Sequence, residues 1–297
     1  MGERGQASVE WVGLLLLVSV ALSALVGFVP VADGRPLGAA IARALVCAVK
    51  RDCQAQDASL RRAYGERDAL LVRQNTPNLV YEPGTFTLPV DYRRCRSHRC
   101  SDAPDDRDLD ASRSARGGVQ ATAFTHVVHR GGMAYIQYFL YYPDSPSTFF
   151  HWHGLLKTLG IHDPADHPDD WESFEVRIDK RGRIAVRASA HGHWQWCKHV
   201  WCKNKWGPGT GWTRVSRGSH AGHIPLAMSP HLKKWGVGVR YRPLRPGAGL
   251  HERSTTAPGI KLVPLETLDH NTYRPQKGGI KPPWTKKAYA DPAEESS

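Results

Sequence analysis

Two stretches of alternating residue character, each with acidic residues at one end, constrain the fold of this chain more than any other feature. Residues 135–144 read YIQYFLYYPD and residues 171–178 read WESFEVRI, and aromatic and β-branched residues of this kind favour strands. Residues 121–129 and 133–142, split by Gly131-Gly132, predict a first β-hairpin. Residues 179–182, Asp-Lys-Arg-Gly, have the composition of a tight turn, which predicts a second hairpin with a return strand over residues 183–190. The pattern therefore predicts a mainly β fold.

Strand alternation brings carboxylates to the ends of the apolar rows. Side chains on a strand alternate between its two faces, so Asp144 ends the apolar row of the first strand while Asp170 and Glu172 begin that of the second. If both rows face one core, these acids meet at its open end, with His167 just before them. Three carboxylates and an imidazole suit Ca²⁺, Mg²⁺ or Mn²⁺ more than Zn²⁺. The alternative is that residues 163–170 form a solvated acidic loop.

Two histidines further along the chain are candidates for the same neighbourhood. His191 has the wrong parity for the apolar face of its strand, so it joins the site only if the strand ends or bulges there. His220 follows in the run Arg217-Gly-Ser-His-Ala. The sequence predicts His191 near the acids and His220 behind them.

A larger motif contains these residues. A tyrosine-rich strand ending at Pro143-Asp144 precedes His167-x-x-Asp170-Trp171-Glu172, and Ser-Ala-His-Gly follows at 189–192. Together they resemble the core of the necrosis-inducing protein family, whose heptapeptide is Gly-His-Arg-His-Asp-Trp-Glu, although positions 166, 168 and 169 depart from it. The resemblance implies that Asp144, His167, Asp170 and Glu172 bind a divalent cation. It also implies a site that engages glycosylated sphingolipid head groups.

Three further stretches extend the resemblance. Residues 76–84, 88–91 and 217–221 are similar to the related vacuolar-protein-sorting-62-like group. Both groups are similar to β-sandwiches, which implies a β-sandwich over residues 76–272. Neither group implies a firmly assigned enzymatic activity.

The N-terminal part predicts a membrane anchor. Residues 1–10 form a leader, and residues 11–32 carry no charge and are long enough to cross a hydrocarbon core of about 30 Å. Cleavage after Gly5 would make Glu10 the fifth residue, which resembles a type IV prepilin leader of the Flp or TadE-like kind. A plain signal anchor and a removable signal peptide are the alternatives.

The predicted architecture is therefore a β-sandwich ectodomain with an N-terminal transmembrane helix and a short helical stalk. In order, the chain has a cytoplasmic leader over 1–10, a single span over 11–32, a stalk over 33–75, the sandwich over 76–272 and a flexible tail over 273–297. The ectodomain is expected outside the membrane, at the cell surface.

The six cysteines fall into three close pairs: Cys47 and Cys53, Cys95 and Cys100, and Cys197 and Cys202. An even count in an exported chain predicts disulfides, and local pairing is the natural choice. A zinc site built from the last two pairs is the alternative, although their spacing is at the loose end for zinc.

A loop rich in tryptophan and lysine follows the second hairpin. Aromatic rings with interleaved cations stack on sugars or nucleobases and contact phosphates; packing of the rings beneath the loop is the alternative. The candidate ligand-binding residues are Trp194, Trp196, Lys198, Trp201 and Lys203.

Charge and motifs together predict a binding protein. The net charge of +12 favours anionic partners, and the leading hypothesis is a surface-anchored module whose divalent metal centre recognises an anionic or glycosylated envelope component. A second hypothesis is a metal-dependent hydrolase of a glycan or phosphodiester, with His191 or His220 as base. A third is a minor pilin that assembles with pilus-type filament subunits and binds DNA through the basic tryptophan loop.

Overall fold

The structure of the chain is a computed structural model. It describes residues 52–81, 87–103, 111–145, 167–190, 193–196, 210, 212–215, 219–223 and 254–293. Several predicted features lie outside these ranges: the leader with Gly5 and Glu10, the span over 11–32, Cys47, His191, and residues 197–209 with Cys197, Lys198, Trp201, Cys202 and Lys203.

Strands dominate the described part of the chain. The helices are α1 (Asp52–Gln74), α2 (His98–Ser101) and α3 (Lys287–Ala290), with 3-10 turns at Ala257–Gly259, Leu265–Thr267, His270–Thr272 and Pro283–Thr285. The strands are β1 (Asn78–Tyr81), β2 (Thr122–Arg130), β3 (Met133–Ser145), β4 (His167–Ile178), β5 (Ile184–Ala190), β6 (His193–Trp196), β7 (Trp212–Val215), β8 (Gly222–His223), β9 (Ser254–Thr255) and β10 (Lys261–Pro264).

These strands form two sheets. The larger sheet has the order β10-β2-β3-β4-β5-β6 and the smaller one β8-β7-β1-β9. Neighbours from β2 to β6 are antiparallel, whereas β10 runs parallel to β2 and β1 runs parallel to β7. The prediction of a mainly β fold is confirmed.

Both predicted hairpins form the centre of the larger sheet. The β2–β3 turn is Gly131-Gly132, with φ of 59° and 75°, a region in which a residue with a Cβ is disfavoured. The β4–β5 turn is closed by Asp179, whose backbone N–H donates to the Arg183 carbonyl oxygen at 3.0 Å. Turn chemistry thus fixed the register of the strands that carry the acidic residues.

One face of the larger sheet packs against α1 and shares its core with the smaller sheet. Tyr138, in the middle of β3, is fully buried, and its hydroxyl donates to the Val72 carbonyl oxygen of α1 at 2.6 Å. The Tyr64 hydroxyl of α1 donates to the Thr125 carbonyl oxygen of β2 at 2.6 Å. Leu79, Tyr81 and Val215 of the smaller sheet belong to the same apolar cluster.

The C-terminal segment, residues 268–293, covers the opposite face of the larger sheet. The Trp171 indole N–H donates to the Tyr273 hydroxyl at 2.9 Å, and the Gln137 side-chain amide donates to the Ala288 carbonyl oxygen at 2.7 Å. This differs from the flexible tail that proline- and lysine-rich composition predicts from residue 273. Apolar side chains of the segment find partners on the sheet, and Pro282, Pro283 and Pro292 are buried, so its exposed lysines do not prevent packing.

Helix α1 is two helical segments that fold back on each other at Gly65. Gly65 has φ 76° and ψ 174°, which is not helical. The Arg73 guanidinium lies 2.6 Å from the Asp57 carboxylate, yet these residues would be about 24 Å apart in a straight helix at about 1.5 Å per residue. The contact therefore requires a helical hairpin. The described part of the predicted stalk is folded against the sheet.

The predicted membrane span is not represented among the described elements. No helix in the described ranges is long and apolar enough to cross a membrane, and residues 11–32 lie outside those ranges.

Candidate functional site

Acidic side chains gather on one face of the β3–β4 pair. The register sets Asp144 opposite Pro168, Tyr142 opposite Asp170, and Leu140 opposite Glu172. Because directly paired residues of antiparallel strands share a face, Asp144, Asp170 and Glu172 lie on the face of the apolar row. Asp170 is 4% exposed. We call these three residues the acidic site.

His220 holds one of the carboxylates in place. Its Nδ1 lies 2.9 Å from the Asp170 Oδ2, and its Nε2 lies 2.7 Å from the Thr87 Oγ1. The ring stacks on Tyr142 at a centroid separation of 3.9 Å and an interplanar angle of 3°. An ionised carboxylate only accepts hydrogen bonds, so Nδ1 is the donating nitrogen. The structure thus places His220 beside the acidic site, with both nitrogens engaged and the residue 2% exposed.

Glu172 is half-buried, and its carboxyl lies between neighbours of both signs. Burial and then the negative charge of Asp170 raise its pKa well above the usual range, whereas the Ser189 hydroxyl and the Lys286 charge lower it. The Ser189 hydroxyl donates to Glu172 Oε2 and accepts from the Ser173 backbone N–H at 2.7 Å. Burial in turn lowers the pKa of Lys286. Ionisation of Glu172 beside Asp170 is therefore unfavourable unless a cation neutralises the carboxylates.

Asp144 and Tyr142 present polar atoms that lack partners in the described part of the chain. Burial raises the pKa of Asp144, and the nearby Asp170 raises it further, while His220 and His98 lower it. The Asp144 Oδ1 and the Tyr142 hydroxyl are both buried without a hydrogen-bond partner among the described residues. Buried polar groups are nearly always hydrogen-bonded, so these two atoms are candidate contacts for a bound group or for residues outside the described ranges.

The described side chains do not by themselves complete a metal centre. Over the described ranges, no group of three or more His, Cys, Asp or Glu side chains is arranged to hold a metal ion. His167 pairs with Ser145. Because side chains alternate along β4, this position belongs to the face opposite that of Asp170. The His167 Nδ1 lies 3.3 Å from the Pro168 carbonyl oxygen. In donor chemistry the acidic site fits a hard cation through carboxylate oxygens.

Two tryptophans of the predicted ligand loop are placed by their backbone. Trp194 pairs with Ser189 and Trp196 with Arg187, at the β6 edge of the larger sheet. Lys198, Trp201 and Lys203 lie outside the described residues, as does His191. The predicted disulfide Cys95–Cys100 is present.

Sequence reasoning missed several groups around the acidic site. Thr87 and Lys286 are remote in sequence and carry no local pattern, so only the tertiary structure could reveal them. Tyr142 and Ser189 belonged to the motifs, and strand parity would have placed Tyr142 on the face of Asp144.

Asp169, next to the site, has a structural role. Its φ of 52° is left-handed, and its carboxylate accepts from Tyr141 at 2.6 Å and from Arg96 at 2.8 Å. It also accepts from the Gln276 backbone N–H at 2.5 Å. These bonds keep its pKa low despite burial, which raises it. Asp169 therefore ties the disulfide loop and the C-terminal segment to β4, which carries Asp170.

Comparisons with known proteins find similarity only among solved structures. No protein-family profile matches the chain, and no curated protein does. NLPPya in complex with glucosamine superposes with a TM-score of 0.42 at 15% identity, over 78% of this chain and 91% of that one. Non-toxic HaNLP3 gives 0.37 at 12% identity, over 69% and 78%.

A third structure is that of Necrosis and Ethylene inducing Protein 2 from the causal agent of cocoa's Witches Broom disease. It gives a TM-score of 0.33 at 19% identity, over 52% of this chain and 66% of that one. Similarity in fold does not by itself carry function, which depends on the residues of the site.

Proposed function

We propose that the acidic site binds a divalent cation, Ca²⁺, Mg²⁺ or Mn²⁺, and through it an anionic or glycosylated component of a cell envelope. The observation that carries this proposal is the buried, unpartnered Asp144 Oδ1 beside two carboxyls, one of which, Glu172, has a pKa that burial and Asp170 raise. A cation would relieve the repulsion between these carboxyls and satisfy the free oxygen. Asp144, Asp170 and Glu172 are the proposed ligands, and His167 and His191 are candidates to complete the set.

The contacts of His220 argue against its use as the base of a hydrolase. A bound cation would supply open coordination positions for the oxygens of a sugar or phosphate. His220 orients Asp170, but its second nitrogen is occupied by Thr87 and its ring is covered by Tyr142. This arrangement gives a substrate no access to His220 as a base.

The first test is a thermal one on the purified chain. A cation that binds only the folded state stabilises it by about 2.7 kcal/mol at a hundredfold excess over its Kd, so Ca²⁺, Mg²⁺ or Mn²⁺ should raise the melting temperature and chelator should lower it. Asp170→Asn should abolish the response, because Asn keeps an oxygen for His220 but loses the charge. Asp163→Asn is the matched control and should respond as wild type. An unchanged response in Asp170→Asn would refute the cation site.

Ligand binding is tested on the same variants. Glucosamine, the sugar bound in the NLPPya structure, is a reasonable first ligand, followed by acidic envelope glycans. Metal-dependent binding that Asp170→Asn removes would support the proposal. Binding that persists in chelator would place the ligand elsewhere, with the loop of Trp194, Trp196, Lys198, Trp201 and Lys203 as the alternative surface.

We also propose that the two sheets stack as a sandwich and that residues 11–32 anchor it, with the domain outside the membrane. The uncharged run and the Gly5–Glu10 spacing support this topology, and they favour assembly with pilus-type subunits. The mature N-terminus should be Gln6, and Gly5→Leu should block processing. A reporter fused after residue 250 should be exported; a cytoplasmic reporter would contradict the topology, and an intact Met1 would contradict the cleavage alone.

A further inference from the structure

A cavity lies at the end of the larger sheet opposite the acidic site. It has a volume of 650 Å³ and lies between the second half of α1, the β2–β3 turn and the β4–β5 turn; its walls include Arg67, Leu71, Arg130, Met133, Ile178 and Lys180. We call it the basic groove. Strand β3 begins here and ends at the acidic site, roughly 35 Å away at about 3.3 Å per residue. Its volume falls in the range of small-molecule sites, about 300–1,000 Å³.

Two cations of the groove are free to bind a ligand. Arg67 and Lys180 are exposed, and within the described part of the chain neither makes a hydrogen bond or an ion pair. A third cation, Arg130, pairs with Asp291 of the C-terminal segment, and both side chains are half exposed. The groove therefore offers two unpaired charges and one that a ligand can compete for.

The one carboxylate in the wall does not neutralise these cations. Asp179 accepts from the backbone N–H groups of Arg181 at 2.9 Å and Arg183 at 2.8 Å. Its second oxygen accepts from the Arg183 Nε at 2.6 Å. These bonds hold the pKa of Asp179 low although desolvation opposes them, and they commit both oxygens to the β4–β5 turn.

The Lys180 side chain lies over the β2–β3 turn. A Cβ on Gly132 would lie 2.2 Å from the Lys180 Cε. The aliphatic part of the lysine side chain therefore packs on the backbone of the turn at Gly132. Leu71, Met133 and Ile178 supply an apolar wall beside it. The groove thus joins cationic tips to an apolar surface.

We propose that the basic groove binds a phosphomonoester group carried on a small apolar body. A phosphate dianion matches two unpaired cations, and the planar guanidinium of Arg67 can engage two of its oxygens while Lys180 acts as a point charge. The apolar wall would cover the attached body, which inorganic phosphate lacks. This site is separate from the acidic site, whose carboxylates would repel such a ligand.

The test is calorimetric titration of the purified full chain with phenyl phosphate and with inorganic phosphate. Phenyl phosphate should bind one to one with a Kd of about 1 mM or tighter, and more tightly than inorganic phosphate. The double variant Arg67→Ala/Lys180→Ala should bind at least about tenfold more weakly, since it loses two charge-assisted contacts. Lys277→Ala/Lys281→Ala removes the same charge from exposed positions elsewhere and should bind as wild type.

Vesicles containing phosphatidic acid identify the source of the phosphomonoester. Retention on these vesicles that is lost in Arg67→Ala/Lys180→Ala, but not in the control, would assign the site to a lipid head group. Binding of phenyl phosphate alone would assign it to a soluble ester. Absence of saturable binding to either, or an equal loss in both double variants, would overturn the proposal.

Discussion

At the scale of single residues, the described structure is notable for charges buried with their partners. Glu175 and Arg187 are fully buried on the face covered by the C-terminal segment, with the Arg187 Nε 3.0 Å from the Glu175 Oε1. Arg187 also donates to the Pro292 carbonyl oxygen at 2.5 Å. Burial raises the pKa of Glu175 to about 7, and the charge of Arg187 opposes this only in part. The pair therefore depends on the C-terminal segment, which excludes water from it.

Glu175 should make stability fall as pH rises. Its folded-state pKa exceeds the unfolded value, so the folded chain holds the proton more tightly between pH about 4.5 and 7, and this stabilisation is lost as pH rises through 7. The unfolding free energy of wild type relative to Glu175→Gln should therefore fall by up to about 3 kcal/mol from pH 4.5 to 8. Urea unfolding across this range measures it.

The control for this pH effect is Glu66→Gln, whose side chain is 74% exposed. Its unfolding free energy relative to wild type should stay nearly constant with pH. The unfolding free energy of wild type relative to Glu175→Gln could instead stay constant or grow with pH. That result would show that the folded-state pKa of Glu175 is not raised.

At the scale of elements, the chain reversal inside α1 rests on Gly65. Its φ of 76° is strained for any residue with a Cβ, and the reversal brings Arg73 to Asp57 and Tyr64 to Thr125. Gly65→Ala should therefore destabilise the chain by about 1–2 kcal/mol, measured by urea unfolding. Glu66→Ala, which breaks only an exposed ion pair with Arg61, should change stability by less than about 1 kcal/mol. A Gly65→Ala variant as stable as wild type would mean that α1 tolerates a different path.

The sequence predicts elements well where local chemistry determines them. The Gly131-Gly132 and Asp179–Gly182 turns, with strand alternation on either side, were enough to place β2 to β5 and to align Asp144 with Asp170 and Glu172. The sequence does not predict the reversal at Gly65, because nothing local distinguishes a tolerated helix glycine from a turn.

Long-range packing explains what the sequence did not reveal. Alternation puts Glu175 and Arg187 on the face opposite the apolar row, where charged residues normally indicate solvent. That face is buried only because the C-terminal segment packs on it. Likewise, the hydrogen bonds of His220 to Asp170 and Thr87 join residues far apart in sequence, and no periodicity could predict them.

At the scale of the whole molecule, the two ends of the larger sheet carry opposite chemistry. The acidic site, at the end of β3, gathers carboxyls with raised pKa values around buried oxygen atoms. The basic groove, at the start of β3, gathers unpaired cations beside an apolar wall. Each end can be altered without touching the other, so the two proposed sites can be tested independently.

A crystal structure with Mn²⁺ would show directly whether the acidic site holds the proposed divalent cation. The anomalous signal of Mn²⁺ locates the ion independently of the protein atoms. We expect a peak within about 2.0–2.6 Å of oxygen atoms from Asp144, Asp170 and Glu172, and no peak at this place in Asp170→Asn crystals. A map without a peak at the acidic site, or carboxyl groups of Asp170 and Glu172 more than about 8 Å apart, would contradict the proposed cation site.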